Sequence, residues 1–283
     1  MDTGSILKGS ILQKLKPTNL KPFLSEIQNR VHSAFPEGDP RIIASSLTSE
    51  FLLQRMHRLR EEIKNKPEYL DLLLPVWTEL GFDLKEIYLD AIRIRCVPDK
   101  FHENQNAASV GYIHRDPWYA NPQCQLNFWI PIFPVGQGSG FRIYPTYFDM
   151  GIKNNSNTFN YPEWLELGGF QSMASNHLKQ QVFPAPLNSP VEDCPIDIFG
   201  DVGEMILFCS HHLHGTSPNT SGKSRFTLEV RFVLQSHLED RLGPKKIDND
   251  SQGTTLIHMY DLFHKKPVSE RLIKHYEGAF VSQ

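Results

Sequence analysis

The segment Arg225–Leu234, RFTLEVRFVL, constrains the fold more than any other stretch of the chain. Phe226, Leu228, Val230, Phe232 and Leu234 hold the even positions, and Arg225, Thr227, Glu229 and Arg231 hold the odd ones. Such alternation marks a strand, because successive side chains point to opposite faces of a sheet. Gln125–Phe133 divides in the same way, with Leu126, Phe128, Ile130 and Ile132 on one side and Gln125 and Asn127 on the other. A polar face open to water would explain an ordinary amphipathic strand. It fits poorly with Trp129, which follows Asn127 on the polar side, and with two arginines, a threonine and a glutamate gathered just after a histidine cluster. A barrel with a polar lumen and helices packed on its apolar outer face explains both strands together.

The rest of the chain supplies those helices. Asp39-Pro40 reads as an N-cap followed by proline at the first helical position. Ile42, Ile43, Leu47, Leu52, Met56, Leu59 and Ile63 then recur at helical spacing to about residue 64. Pro67 opens a second helix carrying Tyr69, Leu70, Leu73, Leu74 and Trp77. YLDAIRIRCV (Tyr88–Val97) and GEMILFCSHHLHG (Gly203–Gly215) add strand candidates. Residues 1–87 are therefore expected to be a helical region packed on a core spanning 88–240. A linker and a helix after Pro267 fill 241–283, all in one mainly β domain with flanking helices. The Gly-, Asn- and Pro-rich stretch 135–197 is expected to be a long lid loop, with Tyr144, Tyr147, Phe159 and Tyr161 as lid candidates.

Composition narrows the function classes. A net charge of −3 without a basic run argues against a nucleic-acid surface. The cysteines Cys96, Cys124, Cys194 and Cys209 show neither zinc-knot nor disulfide-framework spacing, which fits a reducing cytoplasm. No stretch approaches the roughly 18–20 apolar residues of a membrane span, and the first residues lack a signal-peptide core. The expected partners are a small-molecule substrate, with no nucleic acid and no membrane, in a monomer or homodimer.

Just before the Gln125 strand, His114-Arg115-Asp116 sets an imidazole and a carboxylate on one face of an extended backbone. A third ligand from another strand would complete a facial triad with three open positions, the arrangement of non-heme iron sites. Among 12 histidines a lone His-x-Asp is weak evidence, and His237-Leu238-Glu239 is a decoy of similar type. Of His211, His212 and His214, the last is preferred because Gly-Thr-Ser-Pro-Asn follows it, as at a strand end turning over a barrel mouth. Arg225 lies eleven residues beyond His214, on the polar face. A ketoacid such as 2-oxoglutarate, chelated to iron at one end, requires a fixed cation for its far carboxylate. A guanidinium provides a bidentate match, and Thr227 on the same face can donate a second hydrogen bond.

His114-x-Asp116, the long gap, His214-Gly-Thr-x-Pro-Asn and Arg225 together resemble the iron(II)/2-oxoglutarate-dependent dioxygenases, and within them the phytanoyl-CoA dioxygenase-like branch. The resemblance covers roughly residues 88 to 234. It implies a double-stranded β-helix (jelly roll, cupin-like) core with N-terminal helices. It also implies Fe(II) on His114, Asp116 and His214, 2-oxoglutarate on Arg225 and Thr227 within reach of Asn127 or Gln125, and O2 as co-substrate. A carboxylate at 116 favours hydroxylation or another oxidation over halogenation. The reaction would release succinate and CO2.

Trp118, Tyr119 and Trp129 flank the ligands and are expected either to wall the substrate pocket or to be core. Arg93 and Arg95 read as solvated or salt-bridged. Arg231 reads as a substrate contact or as an ion-pair partner of Glu229 or Glu204. Two other functions compete: a zinc-dependent hydrolase-type site using His212 and His214, and a non-catalytic barrel binding a small acid. The zinc reading leaves Arg225 and Thr227 unexplained. The expected substrate is a small polar metabolite, with tailoring of an amino-acid-derived natural product, such as a mycosporine-like amino acid, as the preferred setting.

Overall fold

The computed structural model describes residues 1–64, 66–103, 111–167, 183–190 and 195–278. α1 (Thr3–Leu7) and a short strand β1 (Gln13–Leu15) precede α2 (Leu20–Ala34), α3 (Pro40–Ser46), α4 (Ser49–Ile63) and α5 (Pro67–Glu79). Asp39 caps α3 by accepting from the Arg41 amide, with Pro40 in the first turn, as expected. The stripe expected to run unbroken to residue 64 is instead divided. Leu47 is extended, and Thr48 starts α4 by accepting from the Phe51 amide. Hydroxyls explain the break: Ser45 and Ser46 donate to the carbonyls of Arg41 and Ile43, and Thr48 takes up an amide of the next turn.

From Ile87 onward strands dominate. They are β2 (Ile87–Leu89), β3 (Arg93–Val97), β4 (Leu126–Pro131), β5 (Phe141–Tyr144), β6 (Ile196–Ile198), β7 (Met205–Cys209), β8 (Leu213–Thr216), β9 (Arg225–Leu234) and β10 (Tyr260–Asp261). All pair antiparallel. A seven-stranded sheet runs β1-β7-β4-β9-β2-β10, with β3 also paired to β9, and a three-stranded sheet runs β6-β5-β8. The sheets pack on one another through Trp129, Ile206 and Phe208 of the large one and Phe141, Ile143 and Ile198 of the small one. The core is a jelly roll, mainly antiparallel β with helices outside. Among the described residues no helix is long and apolar enough to cross a membrane.

Register decides which side chains meet. Asn127 lies opposite Arg231, Trp129 opposite Glu229 and Pro131 opposite Thr227. These residues share the face turned toward the small sheet. Leu126, Phe128 and Ile130 share the other face with Phe232, Val230 and Leu228. Trp77 of α5 covers this outer face, its ring centroid 5.2 Å from Phe128 and 4.7 Å from Phe232. The polar face is also buried: Thr227 is fully enclosed, and Arg225 and Asn127 are each 4% exposed. Both faces of β9 are therefore interior, which excludes the reading of a strand with one face in water.

Three sequence expectations change. Gly203–Gly215 is two strands, β7 in the large sheet and β8 in the small one, with the chain crossing between sheets at Ser210–His212. Tyr88–Val97 is also divided: the register with β9 shifts by one residue between Leu89–Phe232 and Arg93–Glu229, where Asp90 accepts from the Ala91 amide and from Arg93. The expected lid loop contributes β5, β6 and α6 (Tyr161–Glu166). Runs of three or four residues are too short to show a period among Gly and Pro. Residues 168–182 and 191–194 of that stretch, Cys194 included, lie outside the described residues. A helix does follow Pro267, spanning Glu270–Glu277 with Ser269 as its cap.

The ring of Phe232 is fully buried and stacks on Phe128 at 5.1 Å. Phe232→Ala should lower the unfolding free energy by about 3–5 kcal/mol in a urea titration. A loss below about 1 kcal/mol would show that the outer face of β9 is not core.

Candidate metal centre

The segment ahead of β4 is extended and pairs with β8 through a single antiparallel bridge. His114 and His214 exchange both backbone hydrogen bonds, N–H to carbonyl, at 2.8 and 2.9 Å. Direct opposition brings the two imidazoles together, with ring centroids 4.5 Å apart. Gly215 permits this approach, since a Cβ there would stand 3.0 Å from Ile113 Cγ1 and 3.2 Å from Ile113 Cα. Alternation returns Asp116 to the same side, and Pro117 then turns the chain into a short 3-10 helix, Asp116–Tyr119. Ligand atoms of His114, Asp116 and His214 all lie within 4.8 Å of one another.

Hydrogen bonding fixes how these atoms are presented. His114 Nδ1 faces the Tyr112 carbonyl at 2.9 Å, and His214 Nδ1 faces the His212 carbonyl at 2.8 Å. Each Nδ1 therefore carries the proton, and each Nε2 keeps its lone pair. Burial lowers the pKa of His214 to about 4, with His114 adding to the shift, so its ring is neutral near pH 7. Burial alone would raise the Asp116 pKa. The Arg231 guanidinium, the largest of the opposing contributions, helps hold the carboxyl well below its usual range. Asp116 Oδ2 accepts from Asn127 Nδ2 at 2.5 Å and from Gln125 Nε2 at 3.2 Å. Oδ1 stands 3.5 Å from His114 Nε2 and 3.4 Å from Arg231 Nη2. The carboxylate is thus anchored by one oxygen and presents the other to the imidazoles.

Arg115, on the opposite side of the backbone from the two ligands, is fully buried. Its guanidinium donates to the carbonyls of His211, Tyr147 and Met150 at 2.6, 2.5 and 2.9 Å and to Asp248 Oδ2 at 3.1 Å. Asp248 also accepts from the Trp118 indole at 2.9 Å and the Ile152 amide at 3.0 Å. Sequence reading missed Asp248 altogether, because IDND in a turn-rich stretch gives no sign of a buried partner. It also took Arg115 for no more than the spacer between two ligands.

The other expected residues divide. Arg225 sits in the lumen, where Nη1 donates to the Ser139 carbonyl at 3.0 Å and to the Gly140 carbonyl. Its Nε and Thr227 Oγ1 are buried without a hydrogen-bond partner, as are Gln125 Oε1 and Arg231 Nε. Asn127 Nδ2 donates to Asp116, and Gln125 Nε2 donates to Asp116 and to Asn127 Oδ1. Tyr119 lies edge-on to His114 at 5.3 Å, and its hydroxyl donates to the Pro184 carbonyl. Trp118 and Trp129 belong to packing clusters, the first with Tyr144, Tyr147 and Leu213 and the second between the sheets. Arg95 pairs with Glu229 at 2.7 Å and Arg93 with Asp90 at 2.6 Å. Glu204 binds Lys14 and Lys16 instead of Arg231. His212 Nε2 is 3.2 Å from the Ser10 carbonyl, away from the triad. His237 lies in the helix Gln235–Glu239.

No protein-family model matches the chain, and no curated protein matches it. Similar solved structures include the apo form of ThoJ, a non-heme monooxygenase (11% identity over 99% of this chain and 95% of that one, TM-score 0.43). They also include SnoK, a non-heme alpha ketoglutarate dependent carbocyclase from nogalamycin biosynthesis (10% identity, 96% and 94% coverage, TM-score 0.41). A third is the apoform of EctD from S. alaskensis (12% identity, 82% and 76% coverage, TM-score 0.41).

The amides that pin Asp116 are testable apart from catalysis. Asn127→Ala should weaken metal binding about 10–100-fold in a chelator competition, with Asn127→Gln recovering part of the loss. Unchanged affinity in Asn127→Ala would show that Asp116 does not depend on this anchor.

Proposed function

We propose that the chain is an iron(II)/2-oxoglutarate-dependent oxygenase acting on a C–H bond of a small polar metabolite. The observation that carries this reading is Arg225. Its side chain is buried, and among the described residues no carboxylate forms a salt bridge with it. Its only described hydrogen bonds go to backbone carbonyls. Burial, with Arg95 adding to it and Glu229 opposing, pushes its pKa down to about 9. A buried, unneutralised guanidinium is costly unless an anion completes it. The unpartnered Arg225 Nε and Thr227 Oγ1 on the same face suit the far carboxylate of a ketoacid.

The donor set fits the metal as well. Two imidazole nitrogens and one carboxylate oxygen, all within 4.8 Å of one another, are a donor set that would suit iron(II). Iron(II) with 2-oxoglutarate and O2 supplies C–H oxidation coupled to decarboxylation of the ketoacid to succinate and CO2. The protein's part is to hold and to exclude. His114, Asp116 and His214 would hold the ion. Arg225 and Thr227 would orient the ketoacid, and Gln125 Oε1 is the part of the amide pair left to face a ligand. Phe208, 5.3 Å from the His214 ring, and Tyr119 beside His114 limit water around the ligands. Arg231, Trp118, Tyr119 and Trp129 are the proposed substrate residues, of which Trp118 and Trp129 also pack in apolar clusters. Tailoring of an amino-acid-derived compound, mycosporine-like compounds among them, is the proposed setting, supported by the polar lumen alone. A zinc hydrolase would give Arg225 and Thr227 no task.

Iron-loaded protein should convert 2-oxoglutarate to succinate with O2 consumption, and His114→Ala should abolish this. In a direct binding titration Arg225→Ala should weaken 2-oxoglutarate binding at least about 30-fold, as expected when a buried charge loses its partner. Wild-type affinity in Arg225→Ala, or an iron-loaded wild type that neither binds nor decarboxylates 2-oxoglutarate, would overturn the reading.

A further inference from the structure

One carboxylate in the lumen is claimed by two guanidiniums. Glu229 accepts from Arg95 Nη1 through Oε1 at 2.7 Å and lies 3.3 Å from Arg231 Nη2 through Oε2. Arg231 reaches its second anion, Asp116, at 3.4 Å, but the contact is with Oδ1, the oxygen the triad presents to a metal. Asp116 Oδ2 is already taken by Asn127 and Gln125. Once Asp116 serves a cation, Glu229 is the carboxylate left in contact with Arg95 and Arg231, and Asp90, which also acts on Arg231, is itself paired with Arg93, so guanidiniums outnumber carboxylates beside the triad. Arg93 does not alter this balance, since Asp90 answers it at 2.6 Å. Glu229 stays ionised: burial would raise its pKa, but Arg95 and Arg231 hold it down at about 2.

Geometry places this excess where a substrate can meet it. Arg95 is the cross-strand partner of Thr227, and Arg231 that of Asn127, so both project from the lumen face. The Arg95 side chain is 31% exposed, that of His114 17% and that of Arg231 12%. Each is more exposed than Arg225, which is 4% exposed. Arg231 Nε is buried without a partner, so one donor of its planar fork is unused.

We infer that Arg95 and Arg231, with Glu229 between them, form a subsite for one anionic group of the substrate, a carboxylate by preference, held beside the metal. This rests on the proposed metal and ketoacid chemistry. It adds that the substrate is an acid and that its charged end, not an apolar surface, sets its position. A planar carboxylate can accept from both guanidiniums, while Glu229 keeps them apart and oriented. A neutral amide would place N–H donors against these cations and gain little.

The test uses the full-length protein loaded with nickel(II) and 2-oxoglutarate, which cannot turn over. Propionate and benzoate, and then propionamide and benzamide, are titrated calorimetrically. Each acid should saturate one site per chain with an affinity at least about 10-fold above its amide, the margin of a charge-assisted hydrogen bond. Arg95→Gln should bring acid and amide within about two-fold of each other, and Arg95→Lys should restore part of the gap. Equal binding of acid and amide by the wild type, or no saturable acid binding, overturns the subsite. The loading step separates the two readings. If 2-oxoglutarate does not bind the nickel protein, the ketoacid reading fails and takes this one with it. If it binds and the acids do not, only the subsite fails.

Discussion

Placing Arg225, Thr227, Glu229 and Arg231 on the inner face of a strand whose outer face is also buried is the constraint on which the rest of the structure depends. Charged groups removed from water must find partners, or they cost several kcal/mol each. The fold supplies them in two ways. Glu229 and Arg231 are answered by other lumen charges, Arg95 and Asp116. Arg225 is answered only in part, by two carbonyls at the start of the small sheet, and Thr227 Oγ1 is left without a partner. Arg225 and Thr227 leave buried donors for a ligand to complete, and Arg231, whose Nε is also unpartnered, is the charge in contact with Asp116. One strand therefore connects the Arg225 end of the lumen to Asp116.

The ligand-bearing segment is not part of a regular sheet, so something else must fix it. His114 is tied to β8 by its backbone, but Asp116 lies where the chain turns into a 3-10 helix. Arg115 secures that turn from behind. Its guanidinium joins Asp248, from a segment 133 residues away, to the carbonyls of His211, Tyr147 and Met150. Three loops are thereby fastened to the residue between the ligands. A lysine could not do this, because its ammonium is a point charge without the planar fork that reaches four acceptors.

The parts of this arrangement that were legible in sequence are those set by local periodicity. β4 and β9 span enough residues for alternation to show, and their polar faces alone imply a lumen. His114-x-Asp116 and His214 were legible because a metal needs particular atoms at particular spacing. What escaped was set by distant contacts. Asp248 is one acid among several in a polar turn, and only folding brings it to Arg115. The pairing of Arg95 with Glu229 depends on the β3–β9 register, which alternation alone does not give. β1, β5 and β6 are too short to carry a period. The break at Leu47–Thr48 was hidden because the apolar stripe continues across it, although the hydroxyls of Ser45, Ser46 and Thr48 were there to be read.

The surroundings of Asp116 explain why a carboxylate, rather than its amide, suits this position. Oδ2 receives N–H groups from Asn127 and Gln125, while Oδ1 faces Arg231 and the His114 imidazole. Asparagine could satisfy one side, but its NH2 would then confront either the two amide donors or a guanidinium. Glutamate would keep the charge but push it one methylene further, past donors fixed by β4. Arg231 would also lose an anion it cannot replace, since Glu229 is shared with Arg95. The position therefore demands an acceptor on both sides, a full negative charge and a short stem, and aspartate meets all three. Electrostatic balance in the lumen and a ligand atom facing two imidazoles are satisfied by the same side chain.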